Sequence, residues 1–221
     1  MKMIPALDEI GDDLRNWDQF AFGIETNLSG TPVMDKLWEY ISNAKENSKS
    51  NKANLAGNLS SSLLLNDTDN YFFDNACIPI IRKYREIFKK ASAFHSQSIF
   101  KNDIQYVLGT LWVNFQKQHE FNPLHNHSGI FSFVVFMKIP TDWREQYEIP
   151  FVKESTTPRA SAFEFVYTDV MGNINVFTYS LDSSSAGLML FFPAEMNHQV
   201  YPFYNCEEER ITISGNIVYD I

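Results

Sequence analysis

The residues best placed to do chemistry are histidines. His125 and His127 form an HxH pair just ahead of an apolar run that opens at Gly129. Side chains at i and i+2 of a strand share a face and stand about 6.5–7 Å apart along the backbone. Two imidazoles so placed can converge on one metal ion. A third ligand has to come from a neighbouring strand, and His198, just after the Gly187–Pro193 run, is the natural candidate. Twelve residues further on, Arg210 opens the last apolar segment, and alternation puts Thr212, Ser214 and Asn216 on its face. Each residue alone has a plain structural reading: a packed histidine, an arginine paired with Glu207, Glu208 or Glu209, a threonine that suits a strand. Order, spacing and strand placement agree, which makes the combination more specific than its parts.

The elements that must position these residues lie in two halves of different texture. Residues 1–103 read as helical. Met34, Leu37, Trp38 and Ile41 mark one helical face, and 70–94 carries a mostly 3–4 apolar spacing in which Pro79 starts or kinks the main segment. Between them, 47–69 is rich in Asn and Ser and reads as a loop with a short helix. Residues 104–221 read as strands: 104–115, 129–139, 163–168, 175–181, 187–192, 198–203 and 210–219. The 129–139 run is nearly continuous apolar and is expected to be covered on both faces. Met171-Gly172-Asn173 reads as a hairpin turn. Such a series of short strands predicts a mainly β fold, a sandwich or cupin-like jelly roll, with the N-terminal helices packed on one outer face. One domain over 1–221 is expected, with a helical part at 1–103 and a β core at 104–221.

Composition narrows the function. The 221 residues include 18 Lys and Arg against 27 Asp and Glu, a net charge of −9. That field disfavours nucleic-acid backbones and anionic membranes. No run approaches a membrane span, and the first residues do not read as a signal peptide. Only Cys77 and Cys206 are present, which excludes a CxxC motif and suggests reduced thiols in a cytoplasmic protein. The aromatic-rich strand half offers a surface for a homodimer.

The strand half resembles the Fe(II)/2-oxoglutarate-dependent oxygenases, in their prolyl-hydroxylase-like branch. The likeness is carried by Leu111-Trp112-Val113-Asn114, by Asn122-Pro123-Leu124-His125-Asn126-His127-Ser128, by the strand from Phe131 to Pro140, by Leu190 to Pro202, and by Arg210 to Asn216. It implies a double-stranded β-helix. It implies that His125, His127 and His198 form the catalytic iron site, and that Arg210, helped by Thr212, pairs with the far carboxylate of 2-oxoglutarate. Arginine suits that task because its fork matches a carboxylate bidentately. Asn114 and Tyr106, eight residues apart and on one face by alternation, are candidates for the cosubstrate's C1 carboxylate. Phe133, Val135, Leu190 and Phe192 are expected as water-excluding walls, with 47–69 and 141–162 as rim or lid. Fe(II), 2-oxoglutarate and O₂ are thus the implied cofactor and cosubstrates, and hydroxylation of a second substrate the implied reaction. One position departs: His127 stands where the family commonly has Asp or Glu, and neither Glu120 nor Glu195 is an obvious substitute.

Two other classes compete. A three-His centre also serves zinc hydratases and cupin-type thiol dioxygenases, which need no 2-oxoglutarate. A jelly-roll binding module would need no metal at all. Trp112 reads as core or pocket wall, His119 as loop surface, and His95 as a helix C-terminal cap.

Overall fold

Strand alternation and apolar content decide how the chain layers. The computed structural model describes residues 15–16, 23–47, 49–88 and 105–220. Among these the strands are β1 (Arg15–Asn16), β2 (Ile24–Asn27), β3 (Ser61–Leu64), β4 (Tyr106–Gln116), β5 (Asn122–His125), β6 (Phe131–Lys138), β7 (Phe163–Thr168), β8 (Ile174–Tyr179), β9 (Leu188–Pro193), β10 (His198–Val200) and β11 (Arg210–Tyr219). Two antiparallel sheets result, ordered β1-β2-β9-β6-β11-β4-β3 and β5-β10-β7-β8. They face each other as a double-stranded β-helix.

Within the seven-stranded sheet, β6 and β9 are buried on both faces along nearly their whole length, which explains their unbroken apolar runs. Phe131, Phe133, Val135 and Met137 of β6, with Met189 and Phe191 of β9 and Ile211, Ile213 and Ile217 of β11, share one core with helices α1 (Pro32–Asn47) and α2 (Ile78–Ile87). The alternate residues Val134, Phe136, Leu190 and Phe192 meet Phe163 and Phe165 of β7 between the sheets. Helix α1 buries Val33, Leu37, Tyr40, Ile41 and Ala44, a 3–4 spacing, while Trp38 stays 38% exposed. Its start is set by Pro32 at the first helical position and by Thr31, whose hydroxyl accepts from the Met34 N–H at 3.3 Å. Pro79 lies in the first turn of α2, behind a widened π-type turn over Phe73–Cys77. Proline has no N–H to continue an α ladder, so the register loosens there. The end of the expected 70–94 helix, and His95, lie outside the described residues.

The N-terminal part is not helical throughout. β2 pairs with β9 and β3 with β4, so this half supplies both margins of the large sheet. Segments as short and polar as Ile24-Glu25-Thr26-Asn27 and Ser61-Ser62-Leu63-Leu64 show no period of their own; their neighbours' free edges make them strands. Two short helices, α3 (Trp143–Tyr147) and α4 (Pro150–Lys153), cross between β6 and β7.

A β-bulge shapes the site. Asn216 of β11 faces Thr110 of β4, but Ile217 faces Leu108, so Gly109 is an extra residue. Thr110, Trp112, Asn114 and Gln116 line the space between the sheets, whereas Leu108 and Tyr106 turn to the helix-side core. Tyr106 packs on Phe131 and Tyr219 at ring distances of 5.9 and 5.4 Å. The expectation that Tyr106 shares a face with Asn114 is therefore corrected: the bulge inverts the alternation between them.

Close approach also constrains Gly215. A Cβ there would lie 2.4 Å from Phe133 Cζ and 2.8 Å from the Thr110 carbonyl. Gly215→Ala should lower stability by about 1–3 kcal/mol through overpacking. Urea unfolding measures it, and an unchanged midpoint would show that the strands can part at no cost.

Candidate metal centre

His125 ends β5 and His198 opens β10, and the two are directly paired across those strands. Close cross-strand pairing brings their rings to 4.3 Å between centroids. His127 follows β5, where its N–H donates to the Ala194 carbonyl at 2.8 Å. Its ring lies 5.3 Å from that of His125 and 4.8 Å from that of His198. One ligand nitrogen from each ring lies within 4.8 Å of the others. The HxH pair and the distant histidine thus converge as their spacing predicts.

Each imidazole is oriented through Nδ1. His125 Nδ1 meets the Pro123 carbonyl at 2.7 Å, and His198 Nδ1 meets the Met196 carbonyl at 2.9 Å. A carbonyl only accepts, so in both rings Nδ1 carries the proton and Nε2 keeps a lone pair. His127 Nδ1 bonds instead to Ser132 Oγ at 2.8 Å. Burial leaves all three short of protons. His125 is lowered by desolvation, His198 well below the usual histidine range, and His127 to about 4, with neighbouring imidazoles adding to the effect on the last two. Neutral imidazoles with free Nε2 lone pairs are what a divalent ion binds. Among the described residues no carboxylate joins this group. Glu120 is turned away and accepts from the Ser60 and Lys117 N–H groups, and Glu195 is exposed.

Arg210 lies in the same cavity, 1% exposed. Nη2 donates to the Ser161 carbonyl at 2.7 Å and to Ser161 Oγ at 2.6 Å, and Nη1 reaches Gln116 Oε1 at 3.4 Å. Nε has no partner, and none of the contacts is a carboxylate. Burial pushes the guanidinium down to about 9, so it is still charged at neutral pH. A buried cation held only by neutral acceptors is suited to an anion arriving from outside. Thr212 and Asn114, cross-strand partners, line the cavity beside it, and the Asn114 Oδ1 and Trp112 Nε1 atoms are buried without partners.

The cavity measures about 600 Å³. Phe192 forms apolar wall as expected, and Phe133 borders the cavity from β6 although its ring packs on Phe72 in the helix-side core; Val135 faces that core, Leu190 packs between the sheets off the cavity, and Val134, Phe136 and Phe163 take their places. Both faces of β6 and β9 are buried, and apart from Ser132 the interior of β6 is apolar, so hydrophobic alternation does not assign the faces. Asn51, Asn54 and Leu55, from the segment expected at the rim, do line the cavity. In the 141–162 segment, Arg159 pairs with buried Glu164 at 2.7 Å and Lys153 with Glu148. His119 is exposed against Tyr204.

Sequence reasoning missed Ser161, Gln116 and Ser132. Gln116 was legible, because it continues the Trp112–Asn114 face. Ser132 lies opposite Asn216 across β6 and β11. Ser161 had no signal: it sits in a loop with φ of +69°, uncommon for a residue with a side chain, held by its bonds to Arg210 and Thr141.

Residues 110–216, which hold every one of these site residues except the lining from 51–59, match a family model described as "Putative 2OG-Fe(II) oxygenase". That stretch is 107 of the 221 residues, and over it the chain is similar to the 2OG-Fe(II) oxygenases. None of the curated proteins matches it. Among solved structures it is similar to a prolyl-4-hydroxylase from Pseudomonas putida, with 11% identity, 86% of each chain covered and a TM-score of 0.48. An oxidoreductase of the 2OG-Fe(II) oxygenase family from Burkholderia pseudomallei has 11% identity, coverage of 88% of this chain and 85% of that one, and a TM-score of 0.44. A prolyl hydroxylase from Trichoplax adhaerens has 11% identity, coverage of 89% and 82%, and a TM-score of 0.46.

The three depressed histidines make a pH prediction for the metal-free protein. A folded pKa below the unfolded value of about 6.5 contributes stability that is present above pH 6.5. It is lost as pH falls through the folded value, which for His127 is about 4. Urea unfolding between pH 7 and pH 4 should show a loss on the order of 3 kcal/mol from His127 alone. His127→Gln should flatten that slope, and an equal slope in the variant would contradict the burial argument.

Proposed function

We propose that this protein is an Fe(II)/2-oxoglutarate-dependent dioxygenase that hydroxylates a second substrate. The observation that carries the reading is Arg210, a buried cation without a carboxylate partner, in the same cavity as three converging neutral imidazoles. A metal centre alone does not require such a cation. A dicarboxylate that reaches the metal at one end and the guanidinium at the other does.

In this reading His125, His127 and His198 hold the metal through Nε2. Bound iron supplies the redox chemistry by which O₂ and 2-oxoglutarate become succinate, CO₂ and one hydroxyl on the substrate. The chain's own residues bind, orient and exclude water. Arg210 offers Nε and its remaining N–H groups to the far carboxylate of 2-oxoglutarate, and Ser161 fixes the guanidinium plane. Thr212 can donate its hydroxyl to the same carboxylate, and Asn114 stands beside it for the C1 end. Val134, Phe136, Phe163 and Phe192 keep the cavity dry, which strengthens every charged contact in it. The two free thiols, Cys77 buried and Cys206 partly buried, support a reducing, cytoplasmic setting. No helix among the described residues is long and apolar enough to cross a membrane.

The rival reading is a three-His enzyme that ignores 2-oxoglutarate, favoured by the absence of a carboxylate from the described ligand group. An anaerobic titration of the protein with Fe(II) and then 2-oxoglutarate separates the two. We expect a weak visible charge-transfer band, abolished in His125→Ala, and succinate on admitting air. Arg210→Lys, which keeps the charge but loses the fork, should raise the 2-oxoglutarate requirement roughly ten- to a hundred-fold, matching about 1.4–2.8 kcal/mol. Metal binding with no response to 2-oxoglutarate would establish the rival.

A further inference from the structure

We infer that Ser132 and Asn216 are positioning residues for His127, forming a two-step hydrogen-bond relay that holds its ring as the Nδ1–H tautomer with Nε2 facing the cavity. The inference rests on the metal-centre reading for its purpose, but not for its geometry.

His125 and His198 are each fixed by a backbone carbonyl. His127 has no such carbonyl. Its Nδ1 partner is a hydroxyl, which can donate or accept and so by itself leaves the tautomer open. The ambiguity is removed one bond further on. Ser132 Oγ donates to Asn216 Oδ1 at 2.7 Å, and a carboxamide oxygen can only accept. With its single proton committed there, Ser132 Oγ can only accept from His127 Nδ1. That ring nitrogen must carry hydrogen, and the lone pair is left on Nε2.

The relay is built from rigid parts. Ser132 is fully buried on β6, Asn216 lies directly opposite on β11, and both are central strands of the large sheet. Trp112 and Phe192 bracket the His127 ring at 5.5 and 6.4 Å. The placement also answers the departure at this position. A carboxylate ligand has two equivalent oxygens and no tautomer to choose. A histidine in its place needs a partner that selects one nitrogen, and here the sheet supplies it from β6, the strand that follows the HxH pair, and from β11 at the end of the chain order. Outer partners of this kind typically change metal affinity by 10–100-fold.

The test compares Ser132→Ala, Asn216→Ala and Asn216→Asp by nitrogen-15 NMR of the imidazoles in metal-free protein, and by calorimetric titration with Co(II). In wild-type protein and in Asn216→Asp, which keeps an acceptor, His127 should be the Nδ1–H tautomer. In Asn216→Ala the freed hydroxyl can donate to Nδ1, so an Nε2–H population should appear at His127 while His125 and His198 are unchanged. Ser132→Ala should likewise give His127 a mixed tautomer. Co(II) affinity should fall roughly ten- to a hundred-fold in both alanine variants and return to within a few-fold of wild type in Asn216→Asp. An unchanged His127 tautomer in both alanine variants would overturn the relay. If the tautomers respond as expected but wild-type protein binds no Co(II), the relay stands and the metal-centre reading fails.

Discussion

Taking a guanidinium out of water is costly unless its donors are met, and Arg210 is buried without a carboxylate to meet them. Much of the surrounding architecture follows from that constraint. Ser161 holds a left-handed backbone conformation, and its carbonyl and hydroxyl both accept from Nη2. Thr141 steadies that hydroxyl at 3.0 Å. Gln116 turns its amide nitrogen to the Glu120 carbonyl at 2.6 Å, which aims its oxygen at the arginine. The Phe203 ring lies 5.3 Å from the guanidinium carbon. These neutral contacts tolerate the charge without cancelling it. A site intended for an anionic ligand has to keep its cation in this state, because an internal carboxylate would compete for the same fork.

The histidines obey the complementary constraint. Three imidazoles close together in a largely apolar cavity repel one another's protons and lose hydration, and both effects favour the neutral form that ligates a metal. The cavity therefore combines neutral donors at one place with a retained positive charge at another. An ion bound by three neutral ligands keeps its full charge, so an anionic cosubstrate gains more from meeting it than it would beside a carboxylate ligand. The His127 departure and the unpaired Arg210 are thus compatible features of one electrostatic design, which under the proposed reading an incoming dicarboxylate would complete.

Both halves of the site depend on sheet geometry. Arg210, Thr212, Ser214 and Asn216 reach one cavity because β11 runs without a bulge of its own between β4 and β6. On β4 the bulge at Gly109 lets Trp112 and Asn114 join them while Tyr106 leaves for the opposite core. Two tyrosines, Tyr106 and Tyr219, then close the end of the helix-side layer rather than the cavity.

What sequence alone determined is whatever alternation and residue chemistry encode locally. The apolar runs of β6, β9 and β11, the turn at Gly172, the HxH pair and the Arg210–Thr212 face are all read from neighbours one or two residues away. So was the family resemblance, since its motifs are short and contiguous. The tertiary structure decided what depends on partners distant in the chain. β2 and β3 are strands only because β9 and β4 offer them edges. Val134 rather than Val135 faces the cavity, a choice that apolar periodicity does not make in a strand buried on both sides, where only the small Ser132 marks the face inside β6. Tyr106 was misplaced because a bulge shifts alternation by one residue and leaves no reliable trace in composition. Ser161 meets Arg210, and Ser132 meets both His127 and Asn216, through hydrogen bonds, which specify atoms in space and have no period along the chain.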